Sequence, residues 1–152
     1  MRAAAPLDIL LVEDNPDHAE LTRRALSKDG NHNVTWVKDG QEALDFLARE
    51  GAWAGRKGPS PSVILLDIGL PKVGGRDVLR AIKQNDRVRF IPVIMLTTSG
   101  DPEDVARCYD LGANSYVVKS LDFNDFIARV KAIKDYWAHT NVFREAFSFA
   151  SA

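Results

Sequence analysis

The sequence predicts a doubly wound α/β domain, a parallel sheet with helices on both faces. Three observations carry that prediction. Short continuous apolar runs, such as residues 9–12 and 91–96, have the pattern of strands buried on both sides. Apolar stripes at helical spacing separate them, so strand and helix alternate five times along the chain. Helix-opening signals, Asn15-Pro16, Asp39 and Asp101-Pro102, stand close behind strand ends.

The elements follow in order. Residues 9–12 form the first strand. Asn15 then caps a helix with Pro16 at its first position, and Ala19, Leu21, Ala25 and Leu26 give it a modest apolar face that ends near Gly30. Residues 34–37 are the second strand. Asp39 and Glu42 resemble a capping box, followed by Ala43, Leu44, Leu47 and Ala48. Residues 51–61 are a long Gly- and Pro-rich loop. Residues 63–67 are the third strand, and Gly74-Gly75 lets the chain turn into a helix carrying Val78, Leu79 and Ile82. Residues 91–96 are the fourth strand, with Pro92 tolerable at its start. Asp101-Pro102 opens the fourth helix, which Gly112 ends. Residues 115–118 are the fifth strand, and Phe126, Val130, Ile133 and Trp137 stripe the last helix. One domain at 7–139 is expected, followed by a tail at 140–152 that carries Phe143, Phe147 and Phe149.

Composition narrows the function classes. A chain of 152 residues hides roughly 70% of its unfolded surface and needs no disulfide or structural metal to fold. The near-balanced charge, net -1, argues against a nucleic-acid partner. Cys108 is the only cysteine, which excludes an internal disulfide and a thiolate zinc site, and it reads as a buried small hydrophobe. His18, His32 and His139 lack metal-site spacing and read as surface residues. No apolar run approaches a membrane span, and the first residues lack the apolar core of a signal peptide. The expected location is the cytoplasm, with no membrane contact.

Ligand sites in such sheets lie at the carboxyl ends of the strands. Those ends carry Glu13-Asp14, Asp67, Thr97 and Lys119. Two like charges about 4 Å apart repel by roughly 4 kcal/mol at an effective dielectric near 20. Three carboxylates therefore need a cation or raised pKa values, and Mg²⁺ suits because it takes few protein ligands and keeps waters. A carboxylate beside a hard cation and a lysine can attack phosphorus, with the hydroxyl orienting phosphoryl oxygens. The set suits formation of an aspartyl phosphate.

These residues resemble the receiver domain of two-component response regulators. The match runs through the stretch from Ile9 to Asn15, Leu65-Leu66-Asp67 with Leu70-Pro71 and Gly74-Gly75, Leu96-Thr97, and Val118-Lys119. The resemblance implies a flavodoxin-like (β/α)5 fold with strand order 2-1-3-4-5. It implies Asp67 as phosphoacceptor, Asp14 as a direct Mg²⁺ ligand, Glu13 acting through water, and the Gly69 carbonyl completing the set. Thr97 is then the switch hydroxyl, Tyr116 the switch aromatic and Lys119 the phosphate-pairing lysine. The implied function is a single-domain response regulator that takes phosphate from a histidine kinase and switches protein-partner binding. It is a phosphoacceptor, with at most self-phosphotransfer and autodephosphorylation, rather than an enzyme.

Two positions depart from the family pattern. Ser120 stands where a proline usually follows the lysine, and Gly69 stands where a side chain is usual. The Lys119-Ser120 pair, the long loop and the Tyr136-Trp137 end resemble stand-alone receivers paired with bacterial phytochrome kinases. Two alternatives are weighed. An Asp-nucleophile phosphohydrolase expects an aspartate at position 69, and a pseudo-receiver expects the acidic residues or the lysine to be lost; neither holds. The tail aromatics, together with the face formed by the fourth helix, fifth strand and fifth helix, point to a homodimer.

Overall fold

The computed structural model describes residues 6–28 and 30–144. The strands are β1 (Asp8–Val12), β2 (Asn33–Val37), β3 (Val63–Leu66), β4 (Val93–Thr97) and β5 (Ser115–Val118). The helices are α1 (Pro16–Ser27), α2 (Gly40–Ala48), α3 (Gly75–Gln84), α4 (Pro102–Asp110) and α5 (Phe123–Asp135). All strand pairings are parallel, in the order β2-β1-β3-β4-β5. This is the flavodoxin-like order expected from the sequence.

Strand alternation divides the core between the two faces. Leu10, Val12, Ile64, Leu66, Val93 and Met95 point to one side, where α2, α3 and α4 supply Phe46, Val78, Leu79, Ile82 and Cys108. Ile9, Leu11, Val63, Leu65, Ile94 and Leu96 point to the other, under Ala25 and Leu26 of α1 and Phe126, Val130 and Ile133 of α5. Both faces are covered, so the strands read as unbroken apolar runs.

Local signals set the ends. Asn15 Oδ1 accepts from the Asp17 and His18 amides, and Asp39 Oδ1 accepts from Glu42, so both caps form. Glu42 reaches back to the Lys38 amide, one residue before the cap itself. β4 begins at Val93, later than expected, because Pro92 has no N–H for the ladder, although Ile91 stays buried. Gly112 takes φ +106° after α4, as its place in the sequence suggested. Within the long loop, a 3-10 turn spans Gly51–Trp53, and Arg49 and Arg56 tie the rest down by donating to loop and helix carbonyls. α5 stops at Asp135 and widens into a π turn over Tyr136–Thr140, so Trp137 lies beyond the helix proper.

The start of the tail folds back on its own domain. Val142 and Phe143 line an apolar groove with Pro59, Pro61, Phe90 and Trp137 at the amino end of the sheet. Phe143 is 38% exposed, its ring 6.0 Å from that of Trp137, so it already has apolar cover within the chain. Phe147 and Phe149 lie outside the described residues.

Candidate functional site

Each rim residue is placed by a ladder bond that runs one step past its strand. The Glu13 amide donates to Val37 O, the Asp67 amide to Val12 O and the Lys119 amide to Thr97 O. Parallel register thus carries three side chains from separate strands to one edge, with Thr97 at the last position of β4. Gly75 brings α3 against this edge. A Cβ there would stand 2.0 Å from Asp67 O, so only glycine permits the approach.

The geometry centres on Lys119, which is buried. Its ammonium donates to Glu13 Oε1 and to Asp67 Oδ2, the latter at 3.0 Å. Asp67 Oδ1 accepts from the Ile68 amide at 2.7 Å. Glu13 is also buried, and its second oxygen accepts from the Asn15 amide at 3.2 Å. Asp14 is exposed beside it, and Gly69 sits in the exposed loop after β3.

Burial pushes the Glu13 carboxyl up to about 7, against the opposing pull of Lys119. Burial also acts to raise Asp67, but Lys119 and the neighbouring Thr97 hydroxyl outweigh it and hold that carboxyl below its usual value.

The five residues read from the strand ends, Glu13, Asp14, Asp67, Thr97 and Lys119, therefore converge. Ligand oxygens of Glu13, Asp14 and Asp67 lie within 4.8 Å of one another. An all-oxygen, anionic set fits a hard divalent cation. Tyr116 is half-buried, and its hydroxyl donates to Ser99 O at 2.8 Å, on the loop that follows Thr97. Ser99 in turn donates to Asp104 of α4, at 2.6 Å.

The histidines are not all the free surface residues that their spacing suggested. His18 is no bystander: its Nδ1 lies 3.2 Å from Lys119 Nζ. Burial and the lysine both lower its pKa. The sequence held one pointer, its place in the first turn after the acidic pair, which brings a helix side chain back over the strand end. His32 also has a structural partner, its Nδ1 accepting from the Leu7 amide at 2.9 Å. His139 is exposed as expected. Trp36 belongs to no motif in the sequence, yet its indole N–H donates to Glu13 O at 2.7 Å and braces the acidic pair.

Fold and rim together define a phosphoacceptor switch, an α/β domain with an acidic pocket and a lysine at the carboxyl edge of its sheet. The response regulator receiver domain matches residues 9–131, and the chain belongs to that family. Receiver domains are phosphorylated by histidine kinases and bind a divalent metal at this acidic pocket. Among its relatives, the probable methanogenesis regulatory protein FilR2 of Methanothrix harundinacea (strain 6Ac) is 45% identical over 143 residues, covering 93% of this chain and 90% of that one. Response regulator Rcp1 of Synechocystis sp. is 39% identical over 136 residues, covering 89% and 91%. The Mn²⁺-bound form of Rcp1 matches with a TM-score of 0.85 at 38% identity, covering 91% of this chain and 99% of that one. The phosphorylated cyanobacterial phytochrome response regulator RcpA matches with a TM-score of 0.87 at 38% identity, covering 93% and 100%. Among the described residues, no helix is long and apolar enough to cross a membrane.

Proposed function

We propose that Asp67 is the phosphoacceptor and that its modification is read by Thr97, Tyr116 and Lys119. The observation that carries this is the approach of the Lys119 ammonium to Asp67 Oδ2 at 3.0 Å inside an acidic pocket. A carboxylate oxygen of Asp67 attacks the phosphorus of a phosphohistidine. The P–N bond breaks, its electron pair leaves on the imidazole, which takes up a proton, and an acyl phosphate forms. Asp14, Asp67 and the Gly69 carbonyl would hold Mg²⁺, with Glu13 acting through water, and the bound ion would supply positive charge for the phosphoryl oxygens. Lys119 supplies a second charge in a water-poor site.

The added charge of about -1.5 to -2 draws Thr97 towards the phosphoryl group. Tyr116 follows because its hydroxyl is tethered to Ser99, two residues on. The face formed by α4, β5 and α5 then changes its partner affinity. Hydrolysis of the acyl phosphate by the domain itself resets the switch.

The name of RcpA supports a phytochrome kinase as donor, whereas that of FilR2 points to a different pathway. Exposed Tyr109 of α4 and Phe123 of α5, with Leu121 in the loop between β5 and α5, support a homodimer through that face. This reading takes 7–139 as the receiver and 140–152 as a tail whose start, at Val142 and Phe143, packs on that receiver.

Incubation with acetyl phosphate and Mg²⁺ tests the assignment. The protein becomes labelled, and Asp67→Asn abolishes the label. Undiminished labelling of that variant refutes it.

A further inference from the structure

A lysine ammonium has three N–H donors. Three acceptors surround that of Lys119: Glu13 Oε1, Asp67 Oδ2 and His18 Nδ1. The two carboxylates belong to the site already described. The third acceptor comes from α1, and the phosphoacceptor reading leaves it without a part.

The backbone of His18 is pinned on two sides, and its ring has an aromatic neighbour. Asn15 Oδ1 accepts from the His18 amide at 3.1 Å, and the Thr22 hydroxyl donates to His18 O at 2.7 Å. The ring faces Phe126 of α5, centroids 6.4 Å apart. The same Asn15 donates its own amide to Glu13 Oε2, so one cap residue bonds two of the three lysine partners. An ammonium only donates, so Nδ1 accepts and the ring proton sits on Nε2.

We propose that His18 is a positioning residue: its Nδ1, together with Glu13, anchors the Lys119 ammonium where it can pair with a phosphoryl group on Asp67. The inference rests on the reading of Asp67 as phosphoacceptor. When Asp67 becomes an acyl phosphate, its carboxylate charge moves to the phosphoryl oxygens. Glu13 and His18 keep two of the three lysine protons, and only the third must turn to a phosphoryl oxygen. The head group of a flexible four-carbon stem is thus fixed before the reaction, which is preorganisation of a charge for the transition state. His18 does this without adding a negative charge that would repel the incoming group.

The test compares wild type, His18→Ala and His18→Asn. Asparagine keeps an acceptor, Oδ1, near the place of Nδ1. The first readout is the rate of labelling by acetyl phosphate and Mg²⁺. The second, made on unphosphorylated protein, is the slowly exchanging ¹⁵N–¹H signal of Lys119 Nζ. His18→Ala slows labelling about ten- to a hundredfold, the size expected for one lost charge-assisted hydrogen bond, and His18→Asn restores it to within about twofold. The Nζ signal is present in wild type and His18→Asn and lost in His18→Ala. Equal rates in all three proteins, or equal slowing in both variants, overturn the proposal. If wild type takes no label, the phosphoacceptor reading fails instead, and the Nζ signal decides: persistence in His18→Ala overturns the anchor, and its loss there alone sustains it.

Discussion

Lys119 and Asp67, 52 residues apart in the chain, meet through an ammonium and a carboxylate oxygen 3.0 Å apart. The side chain of the lysine is 3% exposed and that of the aspartate 13%. The pair is therefore largely screened from water, while Asp14, whose ligand oxygen lies within 4.8 Å of that of Asp67, stands exposed beside it. This asymmetry orders the expectations that follow.

Asp14 should matter more to metal binding than Glu13 does. Both Glu13 oxygens already have partners, Lys119 and the Asn15 amide, whereas Asp14 faces solvent. Asp14→Ala is expected to weaken Mg²⁺ affinity at least about tenfold, and Glu13→Ala less. Calorimetric Mg²⁺ titration measures both. Equal and negligible effects would place the ion elsewhere.

Thr97→Ala should separate phosphorylation from its consequence. The buried hydroxyl lies beside Asp67 but adds no charge, so labelling should persist within roughly threefold of wild type. The NMR shifts that phosphorylation produces at Ser99 and Tyr116 should largely vanish, because nothing then draws the loop inward. Wild-type shifts in the variant would mean that the signal travels another way.

Assembly can be read by sedimentation at micromolar concentration. A homodimer through the face carrying Tyr109, Leu121 and Phe123 is expected. Deleting residues 141–152 should weaken it. A monomer unaffected by that deletion and by phosphorylation would mean that the tail serves only its own domain, as Phe143 already does in part.

Stability should fall on mild acidification through His32. Its Nδ1 accepts the Leu7 amide, which requires an unprotonated ring, and burial with Lys134 and His139 nearby holds its pKa below the usual 6.5. The unfolded chain therefore binds this proton more readily than the folded one. The contribution is complete above the unfolded value and is lost as pH falls through the folded one. The urea midpoint of wild type should drop between about pH 7 and about pH 5 more than that of His32→Asn, whose amide oxygen accepts the same bond without titrating. Parallel curves would remove His32 from the acid response.

Periodicity, caps and strand-end residues were legible along the chain because each is a local property. Leu10 and Val12 face one way and Ile9 and Leu11 the other by the two-residue repeat alone. Asn15-Pro16 and Asp39 start helices through bonds that span only two or three residues. Once the strands are parallel, every strand-end residue must share one rim, so the sequence by itself determined the fold class and the five residues that converge. It could not determine which of them touch. Glu13 pairs with Lys119 across 106 positions, and His18 reaches the same ammonium across 101. Those partnerships depend on the register between strands and on the ring of Phe126 behind His18, neither of which has a spacing in the chain. Phe143 makes the same point at the opposite edge: sequence alone marked it as an aromatic without cover, and only the folded chain brought Trp137 to within 6.0 Å of its ring.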